Sequence, residues 1–299
     1  MYKRVMQGIR RGEMIKVENL NYVYQQGMPF ETQALYDINL EIEEGTITAL
    51  IGHTGSGKST LIQHFNALVK PTSGRILIDG LDVCAKDADL KSVRRKVGLV
   101  FQYPEHQLFE ETVFDDIAFG PKNMGFSDEE VKKRVYMAAE AVGIKEKYMK
   151  RSPFDLSGGQ KRRVAIAGVL AMDPKVLILD EPAAGLDPKG RDSILDMIKN
   201  IHEQNPEKTI IFVSHAMEDV AKVAQNIVVM NKGRVEMTGD VAHIFSQGEK
   251  LYKMGLSVPE ITVVTDKLKE LGYNLPPHIY TVKYGANAIL SLIGGDKNV

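Results

Sequence analysis

The feature that most constrains the fold of this chain is the sequence GHTGSGKS at residues 52–59. It fits the pattern G-x-x-x-x-G-K-[ST], whose glycines let backbone N–H groups approach phosphate oxygens closely. A short apolar run at 46–51 precedes it, and a helical pattern at 59–69 follows. This order predicts a strand, a phosphate-binding loop and a helix whose N-terminus adds the positive end of its dipole.

Further apolar runs predict the sheet to which this strand belongs. They are short and continuous, as expected for strands buried on both faces, and they lie at 97–101, 176–179, 209–213 and 227–230. Helical patterns separate them, with the clearest at 127–150 (N-cap Ser127), 160–171 and 262–271. Strands with partial alternation are predicted at 14–24 and 38–42. The fold class is therefore α/β with a mainly parallel sheet.

The composition is that of an ordinary globular protein, with 43% apolar and 26% charged residues among 299. The net charge of −1 gives no reason to expect a nucleic-acid partner. The single cysteine, Cys84, excludes an internal disulfide and is expected to be a small buried apolar residue. No stretch approaches the roughly 18 consecutive apolar residues of a membrane span, and the basic N-terminus lacks the apolar core of a secretory signal.

Two acids follow one of the buried runs. Asp180 and Glu181 come directly after Val-Leu-Ile-Leu, at the edge where open parallel sheets bind ligands. An Asp there is expected to hold Mg²⁺ together with the hydroxyl of Ser59, while Lys58 reaches the β- and γ-phosphates of a nucleotide. Glu181 is placed to orient and deprotonate a water molecule.

Two other polar residues end neighbouring runs. His215 follows IIFVS, and Gln102 follows VGLVF. Because parallel strands bring their carboxyl ends to one edge, both side chains are expected near the γ-phosphate.

A second glycine-containing stretch, LSGGQKRRVA, lies at 156–165. Its paired glycines also suit a backbone that approaches an anion. One nucleotide does not need two such cradles. Two cradles in one chain are explained if each nucleotide is held between two chains.

The motifs GHTGSGKST, LSGGQ and VLILDEP, together with Gln102, Gly185-Leu186-Asp187 and His215, resemble the ATPase subunits of ABC transporters over about residues 14–245. The resemblance implies a phosphate-loop cassette with a mainly parallel RecA-like sheet, an antiparallel β subdomain, an α-helical signature subdomain and a small C-terminal extension. The expected boundaries are an N-terminal extension at 1–13 and an ATPase domain at 14–246 with its helical subdomain at about 103–170. A dimer-contact subdomain at 247–299 is implied by the narrower resemblance described below, to which its sequences SVPEIT and HIYTV belong.

The same resemblance implies that two cassettes hold two ATP molecules head to tail. Glu181 is then the general base, His215 contacts the γ-phosphate, and Gln102 links magnesium and the attacking water to the membrane partner. Tyr24 stacks on adenine, with Tyr22 as a rival. The remaining implied ATP contacts are Gly52, His53, Thr54, Gly55, Ser56, Gly57, Lys58, Ser59 and Thr60 in the chain's own site, and Ser157, Gly158, Gly159, Gln160 and Asp187 across the dimer interface. Ser59, Gln102 and Asp180 are the implied Mg²⁺ ligands.

A narrower resemblance lies in FQYPEHQLFEETVFDDIAFGPKNMGF, residues 101–126. It is similar to the ATPases of energy-coupling factor transporters, which import vitamins and metal ions. AIAGVLAM and DEPAAGLDPKGR resemble the second ATPase of that family's heterodimer. The resemblance implies a sister ATPase, a transmembrane coupling protein and substrate-binding membrane subunits as partners, with this chain peripheral on the cytoplasmic face of the membrane. A conventional ABC transporter ATPase is the open alternative.

The segment after Gln102 is rich in aromatic and acidic residues, which predicts a groove for an apolar helix with basic flanks. These residues are Glu105, Phe109, Glu110, Glu111, Phe114, Asp115, Asp116 and Phe119.

ABC ATPases of DNA repair need a coiled-coil or zinc insertion between the two glycine motifs. The stretch between them here is about a hundred residues without heptads or C-x-x-C, which excludes that class. Intact Glu181 and His215 argue against a non-hydrolysing scaffold. Family members usually have Thr where this chain has Ala183, and the lost hydroxyl is expected to affect the chemistry little.

Overall fold

The structure is a computed structural model that describes residues 12–293. Its strands are β1 (Glu13–Tyr24), β2 (Thr32–Glu43), β3 (Ile47–Ile51), β4 (Ser73–Ile78), β5 (Leu81–Asp82), β6 (Val97–Val100), β7 (Val176–Asp180), β8 (Thr209–Val213), β9 (Asn226–Asn231) and β10 (Arg234–Asp240). Its helices are α1 (Lys58–Phe65), α2 (Leu90–Lys96), α3 (Val113–Asn123), α4 (Asp128–Ala141), α5 (Gly158–Leu170), α6 (Pro188–Gln204), α7 (Met217–Val223), α8 (Val241–Phe245), α9 (Gly248–Lys253), α10 (Glu260–Glu270) and α11 (Val282–Ile293). The predicted N-terminal extension, 1–13, falls almost wholly outside the described residues.

A six-stranded sheet in the order β10-β9-β3-β8-β7-β6 forms the centre of the molecule. The pairs from β9 to β6 are parallel, and only β10 runs antiparallel to its neighbour. Every residue of β3, β7 and β8 is buried, because helices and the second sheet cover both faces. The predicted mainly parallel sheet is confirmed, and its carboxyl ends meet at one edge.

A four-stranded antiparallel sheet, in the order β2-β1-β4-β5, packs with α1 around a second hydrophobic core. The strands predicted at 14–24 and 38–42 are β1 and the end of β2, which begins six residues earlier at Thr32. Cys84 is only half-buried and packs against this core. The helix predicted over 59–69 ends early, at Phe65, because the chain turns through a left-handed conformation at Ala67.

Helices α3, α4 and α5 lie between β6 and β7 in the sequence and pack against one another. Ser127 caps α4 as predicted, since its side chain accepts a hydrogen bond from the N–H of Glu130. The helix predicted to reach residue 150 stops at Ala141, because Gly143 adopts a left-handed φ of 76° that ends the helix. The helix α5 begins at Gly158, two residues before the predicted start at 160.

The C-terminal helices α10 and α11 pack around a small core of their own, formed by Leu275, Ile279 and Ala288. Thr262 joins α10 to the loop before α11 through its hydroxyl, which donates to the carbonyl oxygen of Ile279 at 2.8 Å. The helix predicted at 262–271 is α10, and α11 was not predicted. Among residues 12–293, no helix combines the length and apolar character needed to cross a membrane.

Candidate functional site

An open cavity of about 570 Å³ lies at the carboxyl edge of the large sheet. It brings together most of the residues predicted to bind ATP and Mg²⁺, which come from five separate parts of the chain. The predicted residues that line it are Tyr24, Thr54, Gly55, Gly57, Lys58, Ser59, Thr60, Gln102, Asp180, Glu181 and His215.

The loop between β3 and α1 forms the floor of this cavity. Gly57 has a φ of 100°, and a side chain at Gly52 would bring a Cβ within 2.4 Å of the Met230 carbonyl oxygen. Neither position accepts another residue without strain. The buried Lys58 ammonium donates to the carbonyl oxygens of Gly52 at 2.6 Å and His53 at 3.0 Å. Burial lowers the pKa of Lys58, and the nearby carboxylates oppose that shift.

Three predicted loop residues support the floor and do not line the cavity. His53 holds the loop to β9, since its Nε2 lies 3.1 Å from the Asn231 Oδ1. Ser56 is fully buried beside Gly52, and a Cβ added to Gly52 would lie 2.5 Å from the Ser56 hydroxyl oxygen. The backbone position of Gly52 is therefore fixed from two sides.

The two acids at the end of β7 lie beside the loop. Ser59 donates to the Oδ2 of Asp180 at 3.4 Å, so a hydroxyl and a carboxylate oxygen converge at one point. Burial raises the pKa of Asp180. Burial, and then the charge of Asp180, raise the pKa of Glu181 to about 7, against the opposing charge of Lys58. A carboxyl group with such a pKa can accept a proton from water near neutral pH.

His215 contacts Glu181 directly, with 3.0 Å between its Nε2 and the glutamate Oε1. Burial and the charge of Lys58 lower the pKa of this histidine, so the neutral ring predominates at neutral pH. The Glu181 Oε1 is buried and has no hydrogen-bond partner among the described residues, so the contact is one of proximity only. The half-exposed His215 ring therefore lies beside the carboxylate without being hydrogen-bonded to it.

The structure also places the two rival tyrosines. Tyr24 lines the cavity, and its hydroxyl lies 3.0 Å from the hydroxyl of Thr60. Tyr22 lies behind it, edge-on to both Tyr24 and the buried His64 ring. Sequence reasoning missed Tyr36, which lines the cavity from β2. Its position depends on the pairing of β2 with its neighbours, and no local pattern marks it.

The signature residues 157–160 do not line the cavity. Ser157 caps α5 in a capping box with Gln160. A Cβ built on Gly158 or Gly159 would meet no atom within 4 Å, and neither glycine has a positive φ. The chain's own fold therefore gives no reason for two glycines here, where each lowers helix stability relative to alanine. Asp187 is also outside the cavity and caps α6 through the N–H of Gly190.

A separate, mainly apolar groove of about 710 Å³ lies beside α3. Phe109 and Phe119 form one wall as an edge-to-face pair with 4.9 Å between ring centroids, and both are exposed. Burial raises the pKa of Asp116, whose Oδ2 has no hydrogen-bond partner. Three basic residues, Lys91, Arg94 and Arg95, also line this groove.

The acids after Gln102 are not all available to a docking partner, which corrects the sequence-based expectation. Asp115 pairs with Lys122 at 3.0 Å, and Glu105 pairs with the buried Arg162 at 2.6 Å. Both acids are therefore used within the chain. Asp116 is also used within the chain, because its Oδ1 accepts hydrogen bonds from the N–H groups of Phe109 and Glu110 and its Oδ2 is buried. The acids left for a partner are Glu110 and Glu111.

A phosphate loop and a carboxylate pair at one sheet edge, together with a signature loop exposed at the start of α5, define a class of nucleotide-hydrolysing subunit. The family model described as ABC transporter matches residues 35–184. The chain belongs to the ABC transporter family and is an ATPase of that family.

Within that family, the chain is similar to proteins named energy-coupling factor transporter ATP-binding protein EcfA2. It is 55% identical to the one from Caldanaerobacter subterraneus over 95% of this chain and 99% of the relative, and 55% identical to the one from Clostridium perfringens over 93% and 98%. Among solved structures, cbiO1 of the cbiONQ complex from Clostridium perfringens matches with a TM-score of 0.73 and 42% identity, covering 85% of this chain and 99% of that one. The dimeric cassette MJ0796 bound to ADP and Pi matches with a TM-score of 0.67 and 31% identity, over 76% and 99%.

Proposed function

We propose that this chain is the ATP-hydrolysing subunit of an energy-coupling factor importer that powers the uptake of vitamins or other micronutrients. The observation that carries the proposal is the division of the nucleotide site. The phosphate loop, the acids and His215 surround one cavity, whereas the signature glycines point into open space on the same chain. A second ATPase facing this one would complete both sites.

In the chain's own site, the proposed ligands of Mg²⁺ are Ser59, Asp180 and Gln102. They fit that ion, because Mg²⁺ takes oxygen ligands and is bound through one or two carboxylates together with nucleotide phosphates. No cluster of three or more His, Cys, Asp or Glu side chains able to hold a metal occurs in residues 12–293. The remaining ligands of the ion would come from the phosphates of ATP, and the ion would neutralise charge that develops on them.

Glu181 is proposed as the general base for the attacking water. Its pKa of about 7 keeps a substantial fraction ionised at neutral pH, and its Oε1 has no hydrogen-bond partner among the described residues, which leaves that oxygen available to a water molecule. His215 in turn is proposed to contact the γ-phosphate, since it lies at the end of the strand beside β7. Lys58 would exchange its two loop carbonyl partners for phosphate oxygens when ATP binds.

The proposed sister ATPase contributes the other half of each site. Ser157, Gly158, Gly159 and Gln160 would reach the partner's nucleotide, with the free N–H groups at the start of α5 facing its phosphates. Asp187 would cross the same interface. The apolar side chains of α11 that are exposed in the single chain, such as Val282 and Leu290, are proposed to contact the sister subunit.

The groove beside α3 is the proposed docking place for a transmembrane coupling protein. An apolar helix would cover Phe109 and Phe119, and basic residues flanking that helix would pair with Glu110 and Glu111, which follow Phe109 in the chain. Separate substrate-binding membrane subunits would select the cargo. The chain would then lie at the cytoplasmic face of the membrane as a peripheral subunit.

Co-purification from detergent-solubilised membranes of the host tests the proposal. A tagged chain is expected to bring down a sister ATPase, one shared transmembrane protein and several small membrane proteins. A single dedicated transmembrane pair would instead indicate a conventional ABC transporter. The absence of any membrane partner would refute the transport assignment.

A charge-reversal variant sharpens this test. Glu110→Lys with Glu111→Lys is expected to release the transmembrane protein and leave nucleotide binding unchanged, because both acids lie outside the cavity. Glu140→Lys with Glu203→Lys is the matched control, since these exposed acids lie on α4 and α6, away from the groove. Equal recovery of the membrane partner with both variants would contradict docking at this groove.

A further inference from the structure

Among residues 12–293, Arg162 is the largest side chain that is fully buried, with 1% of its surface exposed. It lies on α5, five residues after Ser157, and does not line the nucleotide cavity. A buried guanidinium persists only when its donors are satisfied. Its partners therefore identify which parts of the chain it holds together.

One side of the guanidinium binds Glu105 in a two-pronged ion pair. The Nη2 donates to Oε1 at 2.6 Å, and the Nε donates to Oε2 at 2.9 Å. Burial raises the pKa of Glu105, but the Arg162 charge and hydrogen bonds outweigh burial and hold the pKa below its usual range. Glu105 belongs to the short 3₁₀ turn Pro104–Gln107, which begins two residues after Gln102.

The other side of the guanidinium binds the segment that follows β7. The Nη1 donates to the carbonyl oxygens of Pro182 at 3.1 Å and Ala184 at 2.7 Å. These two residues lie between Glu181 and Asp187, so their backbone positions set the direction in which the chain leaves the carboxylate pair. Tyr103 closes the cluster, because its ring lies 5.9 Å from the Arg162 Cζ.

Arg162 thus joins three segments whose functions differ. The segment after Gln102 connects the cavity to the docking groove, the 181–187 segment carries the general base, and α5 carries the signature glycines that point away from the cavity. The four hydrogen bonds of one side chain fix their relative positions.

We propose that Arg162, through Glu105 and the carbonyls of Pro182 and Ala184, is a positioning residue that couples the chain's own ATP site to the site it completes on the partner. The proposal rests on the head-to-tail dimer of the proposed function. When the segment after Gln102 moves, the rigid fork of the arginine moves the signature helix with it. Both sites therefore depend on one side chain that touches neither nucleotide.

Lysine cannot replace this arrangement, because one ammonium on a flexible stem does not reproduce the planar fork that serves the carboxylate and the carbonyls together. The neighbouring Arg163 supplies a matched control. It also bonds backbone oxygens, at Val142 and, at 2.9 Å, Ser193, but it does not contact the segment after Gln102. Arg163→Lys removes a comparable fork from the same helix without touching the proposed coupling.

The test measures each ATP site separately in the complex with the sister ATPase. Replacing the sister's own catalytic glutamate with glutamine leaves only this chain's site active, whereas Glu181→Gln leaves only the site that this chain's signature completes. We expect Arg162→Lys to lower kcat about tenfold or more at both sites and to change the KM for ATP less than about twofold. Arg163→Lys should leave both kcat values near their starting level while lowering the melting temperature to a similar degree.

A loss confined to one site, or an equal loss with Arg163→Lys, would overturn the coupling role. Glu105→Gln provides a second, milder variant that keeps the side-chain volume, and it should lower kcat at both sites in the same ratio. Failure of the proposed dimer would appear differently, since Ser157→Arg would then affect both sites equally. Unchanged kcat in both Arg162→Lys and Glu105→Gln would refute the inference while leaving the ATPase assignment intact.

Discussion

The two glycine motifs of this chain both begin a helix, yet they are built in opposite ways. In the phosphate loop, Gly52 and Gly57 have φ angles of 154° and 100°, and a Cβ on either would meet an atom of the chain within 3 Å. In the signature loop, Gly158 and Gly159 have open space around them and no positive φ. The first pair is required by the fold of this chain. The second pair is not.

The difference indicates where each loop finds its ligand. The phosphate loop is completed within the chain by Lys58, Asp180 and Glu181, so its glycines serve the close packing of that site. The signature loop has its cap and its helix but no facing surface, so the space that its glycines leave open is available to another molecule. A glycine that the surrounding structure of its own chain does not require thus indicates a place where another molecule approaches the backbone.

Glu181→Gln tests the phosphate-loop half of this comparison and has the largest expected effect. Turnover at the chain's own site should fall about 100- to 10,000-fold, because the amide cannot accept a proton from water. ATP binding should persist, since Lys58 and the loop are unchanged. Single-turnover hydrolysis and nucleotide binding, measured side by side, check this, and wild-type turnover would remove Glu181 from the general-base role.

Ser157→Arg tests the signature half and should lower hydrolysis about tenfold or more at the partner's site. The bulky cation would occupy the space in front of α5, while the chain's own cavity stays unaltered, because residue 157 does not line it. The measurement is the activity of each site in a dimer with one inactive catalytic glutamate. Equal losses at the two sites would contradict the division of labour between the loops.

Alanine substitutions compare the glycines directly by urea unfolding of the chain. Gly52→Ala should lower the free energy of unfolding by about 3 kcal/mol, since its Cβ would clash with the Met230 carbonyl and the backbone conformation is unfavourable. Gly159→Ala should raise it by about 0.5 kcal/mol, because alanine favours the helix. The same Gly159→Ala variant should nevertheless slow hydrolysis at the partner's site. A stability loss with Gly159→Ala would indicate a structural need that the geometry does not contain.

The smallest expected effect is on the pH dependence of stability and comes from replacing His64, on the helix that follows the phosphate loop. Burial lowers the pKa of His64 below its ordinary value of 6.5. The unfolded chain therefore binds more protons as the pH falls below 6.5, so the stability present above that pH is lost on acidification. Between about pH 7.5 and pH 5.5, the free energy of unfolding should fall about 1 kcal/mol more in wild type than in His64→Phe. Parallel pH profiles would show that His64 accepts protons equally in both states.

Much of the sheet and the site was predictable, because the signals are local. The buried strands β3, β7 and β8 are continuous apolar runs, and the acids at the end of β7 follow their run directly. Parallel pairing then brings these ends to one edge whatever the loops do. Helix ends were less predictable, since α4 stops where Gly143 turns left-handed in a pattern that remains helical to residue 150.

Contacts between distant segments were beyond the sequence. Tyr22 and Tyr24 are two residues apart on one strand and their rings touch, and only the packing of β1 beside α1 puts Tyr24 at the cavity. Glu105 resembles the other acids of its segment, yet it lies opposite a buried arginine 57 residues away. A charged residue carries no local mark of its partner, because ion pairs depend on distance in space.

The sequence by itself determined the phosphate loop, the buried strands of the large sheet, and the edge at which the acids, Gln102 and His215 gather. These features depend on residue spacing and on the geometry of parallel strands, which are the same wherever the pattern occurs. Only the tertiary structure decided that the signature glycines face open space and that one guanidinium holds the three functional segments together. Those features depend on burial and on empty volume, which arise only when the whole chain is packed.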